Sequence, residues 1–520
     1  MKINSLKKKS SRISEGFLYT DQYQLTMAQV YFRMGMHEHQ VQFDHFFRAY
    51  PDYGVHKAGY CINAGLEWLV DWMRNVRFTD TDYLHLKEMT GGAGNPLFHT
   101  DFLDWLKEFG NYEMIELQSI PEGRVIHPHE SLNVVRGPLA QAQILETALL
   151  NMLNYQILIA TKASRIREAG CRQLMLEFGV RRGHDRGANA GARAALIGGA
   201  DFTSNAGISF ELGFPPKGTH AHSLVQLFLT LGYTEEEAFQ AFADVFPDDC
   251  ILLVDTIDTL DSGIPNAIRV FEKLKKKGHR PVGIRLDSGD LAYLAIRSAK
   301  QLNDAGFKEV KIVLSNELDE MNIWQILKQI REEAGGYGLE SDSLIRRLVY
   351  GVGTRLITSV GDPALGGVYK LTAVRNNGVW EPSIKISESA EKIPHPGEKN
   401  VWRLYDNRGK ATADLIGHRD EDPLRMESIE LCHPYNPEKK RTLKTDEIST
   451  SESLLVPILF QGNIVYDFPS IEAIRFVRDE DIQRLDSGVK RLINHHVYHV
   501  SLTHRLMTIK QDLLREIQHA

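Results

Sequence analysis

Hydrophobic and polar positions along this chain change their rhythm at about Lys162. Before that point the spacing is mixed. Residues 17–32 repeat apolar positions at helical intervals, with Leu25, Met27, Val30 and Tyr31 on the pattern. Asp21 stands where a cap is wanted and Tyr23 falls in the first turn. Residues 41–48 alternate as a strand does. Residues 61–76 predict a helix carrying Trp68 and Trp72 four apart, a core pattern, and 102–109 predict another. Residues 114–125 and 132–135 read as strands, and 141–159 as a long apolar helix that must be buried.

After Lys162 short apolar runs alternate with helical segments. The runs are 174–178, 200–203, 218–222, 251–254, 282–286, 310–314 and 348–350; the helices between them include 189–197, 265–277, 291–305 and 318–333. Repeated strand-helix units predict a parallel sheet covered by helices. Seven runs predict an irregular parallel α/β barrel, TIM-barrel-like. Around it the pattern sets a basic tail at 1–14, an N-terminal α/β domain at 15–145, the barrel at 146–378, and a C-terminal extension at 379–520 that is loop-rich and then helical.

The residues just after each run supply the chemistry. Gly179, Arg181 and Arg182 come after the first; Ser204 and Asn205 after the second; His222 ends the third. Asp255 and Asp258 come after the fourth, Asp287-Ser288-Gly289-Asp290 after the fifth, Ser315-Asn316-Glu317 after the sixth, and Gly351-Val352-Gly353-Thr354 after the seventh. Barrel enzymes keep their sites at these C-terminal strand ends. The third run is the centre of the pattern: His220 and His222 share one face if the segment is a strand, and Ser223 can cap the apolar helix beyond it. Gly351 to Thr354, and Ser288-Gly289 ahead of the helix at Leu291, leave backbone N–H groups free for phosphate. Asp255 and Asp287 can orient His222, hold sugar hydroxyls, or ligate Mg²⁺ through waters. No Walker A motif is present, and no G-x-G-x-x-G stands after the first run.

Composition narrows the class. A net charge of −7 argues against a dedicated nucleic-acid binder. Cys61, Cys171, Cys250 and Cys432 form no CxxC pair, which fits a reducing compartment without structural zinc. No apolar run approaches the ~20 residues of a membrane span. The basic residues at 1–14 have no apolar core behind them, so a secretory signal is not expected, and the expected location is the cytoplasm. Histidines 495, 496 and 499 interrupt the last helical stretch and read as packed or exposed rather than as a metal site.

Taken together, LYTDQYQLTM at 18–27, EFGVRR at 177–182, TSN at 203–205, GTHAHS at 218–223, VDT at 254–256, RLDSGD at 285–290, YGVGTR at 350–355, LGGVYKL at 365–371, and PGEK at 396–399 before VWR at 401–403 carry a resemblance. Over nearly its full length the chain resembles nicotinate phosphoribosyltransferases. The resemblance implies that nicotinate and 5-phosphoribosyl 1-pyrophosphate give nicotinate mononucleotide and pyrophosphate, coupled to ATP hydrolysis, with ATP and Mg²⁺ as cofactors, in NAD salvage. It implies a homodimer with shared active sites, no nucleic-acid partner and no membrane. His222 would carry a phosphoryl group, with Asp255, Asp287 and Arg285 beside it as catalytic residues. Phe178 would stack on the nicotinate ring opposite Tyr23 from the other subunit. Arg181, Thr203 and Ser204 would face the ring's carboxylate. Ser288, Gly289, Gly351, Gly353 and Thr354 would bind phosphate. The chain departs from the family in the charged loop 183–187 and at Asp201.

Three rival readings compete with this one. His-x-His at a strand end is also a zinc pair, as in a metal-dependent barrel hydrolase. That site needs further ligands at other strand ends, and His184 falls in a loop while His279 precedes a strand. A non-catalytic binding protein would keep the fold without turnover. Within the enzyme class, the alternative is a nicotinamide phosphoribosyltransferase.

Overall fold

The computed structural model describes residues 15–519. The expected basic tail at 1–14 lies outside the described residues. Contacts divide the chain into two units: one joins the chain up to Leu158 with the chain from Ala364 onward, and the other is Ile159–Pro363. The segments expected as an N-terminal domain and a C-terminal extension therefore share one unit.

The first unit is built on two large sheets. One is seven-stranded and antiparallel, in the order Val379–Pro382, Gly367–Asn376, Gln40–Phe47, Asn133–Pro138, Glu116–Ser119, Val456–Phe460 and Asn463–Ile464. The alternating segment 41–48 is a strand over Gln40–Phe47, and all but its first residue are buried. Its polar residues are satisfied inside. Asp44 meets Lys399 at 3.0 Å and accepts from Ser131 and Thr372 at 2.6 and 2.9 Å, while His45 bonds Asn133 and Asn154. Asp21 sits at the N-cap of Gln22–Arg33, but its carboxylate accepts from Thr147 at 2.7 Å and makes no cap bond.

The second sheet corrects the expectation of a loop-rich and then helical extension. Lys440–Lys444, Ser428–Cys432, Val500–Leu502, Ala411–His418, Lys399–Asp406 and Ile448–Ser453 form six strands. Charged residues in mid-strand hid them. Arg403 and Asp414 face each other across two strands, both buried, at 2.6 Å. Each charge is tolerable inside because it is paired: Arg403 also meets Asp481 at 3.0 Å, and Asp414 accepts from Tyr498 at 2.8 Å. Helices remain at Ile471–Arg484 and His504–His519, and the histidines 495–499 lie in the irregular stretch before Val500.

The second unit is the parallel sheet. Its strands are β1 (Leu174–Glu177), β2 (Phe202–Thr203), β3 (Ile251–Leu253), β4 (Gly283–Leu286), β5 (Lys311–Ser315) and β6 (Leu348–Val352). They pair in parallel in the order β2-β1-β6-β5-β4-β3. Helices Asp185–Gly198, Ile264–Lys276, Leu291–Asp304 and Glu320–Glu333 connect them. Ile264–Lys276 shows why they pack: Ile264, Ala267, Val270, Phe271 and Leu274 are buried on one stripe, with lysines opposite. Burying Phe271 alone stabilises by roughly 1.5–3 kcal/mol.

One expected strand is absent. Residues 218–222 form no strand, and a helix begins at His222 (His222–Thr230) with Ala221, not Ser223, at its N-cap. The edge strands β2 and β3 are bridged rather than paired. Lys217 N–H donates to the Thr203 carbonyl at 3.0 Å, and Leu253 N–H donates to His220 Nε2 at 3.0 Å. Pro215 and Pro216 have no N–H to offer a ladder, and an imidazole takes the acceptor role a strand carbonyl would have had. The sheet thus has six strands and is not closed into a barrel by strand pairing.

Candidate active site

The C-terminal ends of β1 to β6 bring together the polar groups that the sequence spaced over the whole unit. His222 is the first residue of its helix, and its ring is 38% exposed. Nδ1 lies 3.1 Å from the Thr256 hydroxyl, just after β3. Nε2 faces two carboxylates, 3.8 Å from Asp255 Oδ1 and 3.9 Å from Asp287 Oδ2. Asp255, expected to orient His222, makes no direct hydrogen bond to it; Thr256 does, with the carboxylates acting through space. Two negative groups stand beside Nε2; in the tautomer with its N–H there, the Nδ1 lone pair accepts from Thr256.

The Asp255 side chain is 2% exposed. Its Oδ2 accepts from Asp287 N–H at 3.0 Å and Ser288 Oγ at 2.6 Å, while Oδ1 is buried without a hydrogen-bond partner. Arg285, on β4, is held by three bonds: Nε to Ser315 Oγ at 2.9 Å, Nη1 to Thr219 Oγ1 at 3.1 Å and Nη2 to Asp287 Oδ1 at 3.0 Å. Its guanidinium lies over the Phe178 ring, 5.4 Å from the centroid. Ser315 in turn donates toward Asp287 Oδ1 at 2.6 Å and the Leu286 carbonyl at 3.1 Å.

Phe178 is almost wholly buried and presses on β6, where a Cβ on Gly351 would lie 2.6 Å from the ring. Gly353 has a φ of −118°, so no left-handed backbone dictates glycine there; a Cβ would approach the Phe178 carbonyl oxygen at 3.3 Å. Thr354 opens a single helical turn, Thr354–Ile357. Gly289 does take the left-handed region, at φ +76°, ahead of Leu291–Asp304, which Asp290 caps through Ala292 and Tyr293 N–H.

The residues expected to face the ring's carboxylate are assembled differently from expectation. Glu177, buried at the end of β1, accepts from Thr203 Oγ1 at 2.6 Å and from Gly179 N–H. Burial pushes its carboxyl above the ordinary range, while Thr203, Gly179 and the charge of Arg181 pull the other way. The Thr203 hydroxyl is thus committed to Glu177. Ser204 N–H donates to the Glu177 carbonyl at 2.9 Å, leaving the Ser204 side chain part-exposed, and Arg181 stands exposed in the turn after β1. Tyr23 lies on Gln22–Arg33 of the first unit, half exposed. Glu177 and Thr256 join this constellation without having been singled out in the sequence, where they appear only inside the motifs at 177–182 and 254–256, and Ser315 appears there only among the groups after the sixth run.

Residues 18–154 match the nicotinate phosphoribosyltransferase N-terminal domain and 398–510 the C-terminal domain of the same family. Nicotinate phosphoribosyltransferase of Bacillus subtilis is 38% identical over 96% of both chains. The chain belongs to the nicotinate phosphoribosyltransferase family. The human member is 32% identical over 95% of this chain and 96% of its own. The crystal structure of human nicotinic acid phosphoribosyltransferase superposes with a TM-score of 0.77, at 28% identity, over 95% of this chain and 99% of that one.

Within this family setting, two metal questions can be put to the residues. His220 does not form a zinc pair with His222: Nε2 accepts from Leu253 N–H and Nδ1 lies 3.3 Å from the Ala221 carbonyl, so both nitrogens are engaged. Burial holds its imidazole below the ordinary value, which suits a neutral structural ring. Magnesium does fit. The unpartnered Asp255 Oδ1 and the part-exposed Asp287 offer hard oxygen ligands at the strand ends. The tight three-ligand clusters among the described residues lie elsewhere, at His127–Glu130–Asp414 and at Glu430–Cys432–His504, where Lys440 already neutralises Glu430 at 2.5 Å.

Proposed function

We propose that the protein makes nicotinate mononucleotide and pyrophosphate from nicotinate and 5-phosphoribosyl 1-pyrophosphate, coupled to ATP hydrolysis through a phosphorylated His222. The observation that carries this reading is the His222 ring set between Asp255 and Asp287, beside an Arg285 that lies over Phe178. The pyridine nitrogen attacks C1 of the ribose, and the C1–O bond breaks with its electron pair leaving on pyrophosphate. Positive charge develops on the sugar, which Asp287 and Asp255 stabilise. Phe178 supplies a flat wall for the pyridine ring, and the loops at Ser288-Gly289 and Gly351 to Thr354 offer N–H groups to phosphate oxygens. Asp255 and Asp287 would hold Mg²⁺ through waters; when bound, the ion neutralises the leaving pyrophosphate.

For the coupling, a neutral His222 is the nucleophile toward the γ-phosphoryl group, and the facing carboxylates stabilise the imidazolium character of the phosphorylated ring. The family resemblance further supports a homodimer with Tyr23 of a second copy near Phe178. Apolar side chains left open on the second unit, Phe210 at 91%, Leu227 at 55% and Leu231 at 64% exposure, support such a surface. Four cysteines, none in a disulfide, fit a reducing cytoplasm. No helix among the described residues is long and apolar enough to cross a membrane.

The test is an assay of nicotinate against nicotinamide, each with and without ATP. Nicotinate turnover stimulated by ATP is expected. His222→Ala should lose ATPase activity and ATP stimulation yet keep a slow ATP-independent transfer, whereas His220→Ala should keep the coupling. Acid-labile phosphate from γ-labelled ATP should map to the peptide holding residues 219–223. A fully coupled His222→Ala enzyme, or label on His220, rejects the phosphohistidine.

A further inference from the structure

Two consecutive non-glycine residues leave β5 in the left-handed region: Asn316 at φ +92° and Glu317 at φ +49°. Such a backbone is costly for a side chain unless the surroundings over-determine it, and such residues gather at functional sites. Here the surroundings are specific. Arg355, on the turn that continues from the Gly351–Gly353 loop, donates from Nε to Glu317 Oε2 at 2.9 Å and from Nη1 to Asp319 Oδ2 at 2.8 Å. Asp319 is nine-tenths buried, and its other oxygen caps Glu320–Glu333 through Met321 and Asn322 N–H. Asn322 Nδ2 adds a bond to the Glu317 carbonyl at 2.6 Å. One guanidinium therefore ties the loop after β5 to the loop after β6.

The residue just before the strained pair is Ser315, which bonds both Asp287 and Arg285. A shift of the pair moves Ser315, and through it the carboxylate and guanidinium at the centre of the site. From this geometry we infer that Arg355 is a positioning residue: it acts through Glu317 and Asp319 to hold the strained Asn316–Glu317 turn, and with it Ser315 and the glycine loop, in the arrangement that receives the phosphate-bearing substrate. The inference rests on the phosphoribosyl-transfer reading.

The experiment uses the full-length enzyme and varies each substrate in turn. Wild-type turnover must first depend on nicotinate and phosphoribosyl pyrophosphate; if it does not, the parent reading fails and not this one. Arg355→Met should raise KM for phosphoribosyl pyrophosphate by about tenfold or more, a size in keeping with small misplacements of positioning groups, with nicotinate KM changed less than about twofold. Arg355→Lys keeps the charge but not the fork, and should fall between. Adding Asn316→Gly to Arg355→Met removes the Cβ penalty of the turn and should recover at least about threefold of the lost KM. That recovery separates a positioning role from direct phosphate contact or a general loss of stability. If Arg355→Met does not fold, Arg355→Lys and Glu317→Gln carry the same comparison. An unchanged phosphoribosyl pyrophosphate KM, or a raised KM that Asn316→Gly leaves untouched, overturns the assignment.

Discussion

Gly351→Ala tests whether Phe178 is a wall of the nicotinate site or a core residue that happens to lie there. The new Cβ would sit 2.6 Å from Phe178 Cε2, 2.7 Å from Cδ2 and 3.3 Å from Ser315 Cβ. Carbon atoms pack best near 3.5–4.0 Å, so the ring must retreat by about 1 Å. Overpacking of this kind costs about 1–3 kcal/mol. The retreat also draws the ring from under Arg285, an interaction of about 0.5–1 kcal/mol where partly exposed. If nicotinate stacks on this ring, a loss of about 1.4 kcal/mol in binding raises nicotinate KM about tenfold. The assay is steady-state turnover with nicotinate varied at saturating phosphoribosyl pyrophosphate, then the reverse, beside a melting curve. Nicotinate KM should rise about tenfold or more, any rise in the other KM reports the phosphate loop to which Gly351 also belongs, and Tm should fall by about 2–4 °C per kcal/mol for a unit of this size. Phe178→Leu in the Gly351→Ala background relieves the clash and should restore Tm without restoring nicotinate KM. A lowered Tm with an unchanged nicotinate KM would refute the ring-binding role.

Other perturbations probe separate parts of the molecule. Ser204→Asp sets a carboxylate beside the end of β1, where it should repel nicotinate's own carboxylate; nicotinate KM should rise while that for phosphoribosyl pyrophosphate holds, and an unchanged substrate preference would mean the ring is read elsewhere. Mixing Tyr23→Ala chains with Phe178→Ala chains should restore one good site per mixed dimer, and a mixture no better than either parent would defeat the shared-site proposal. Lys399→Met leaves Asp44 buried opposite no cation; with Ser131 and Thr372 still donating to it, the cost should sit near the low end of about 3–5 kcal/mol, read as a fall in Tm that Asp44→Asn partly reverses. Stability should also fall in mild acid. Burial lowers the His45 imidazole to about 4 and that of His127 to about 3, so the unfolded chain binds more protons between the ordinary value of ~6.5 and those values. The contribution is therefore complete above pH ~6.5 and lost progressively as pH falls through the window, and urea midpoints flat from pH 7 to pH 5 would contradict it.

The sheet of the second unit was legible because parallel strands covered on both faces read as unbroken apolar runs, and six of seven such runs are strands. The C-terminal sheet was not. Its strands carry buried charges whose partners lie on other elements, as Arg403 does with Asp414 and Asp481, and no local window shows that the charges cancel. Glu177 escaped notice for the same reason: a carboxylate ending an apolar run looks like a solvated turn until Thr203 and Gly179 are seen to bond it. The segment 218–222 failed more instructively. A two-residue histidine period suits a strand, but His220 serves by its side chain where a strand would serve by its backbone. That substitution has a consequence for His222. As the first residue of a helix rather than the last of a strand, it stands where the helix's free N–H groups and dipole favour negative charge. Asp255 and Asp287 oppose an anion at Nε2, while the other nitrogen faces only the Thr256 hydroxyl, a group that donates to a lone pair or to a phosphoryl oxygen. On the proposed phosphohistidine reading, the electrostatics of the helix start would give the two ring nitrogens different tasks: Nε2 lies toward the carboxylates, and Nδ1 is the side on which negative charge can be accepted.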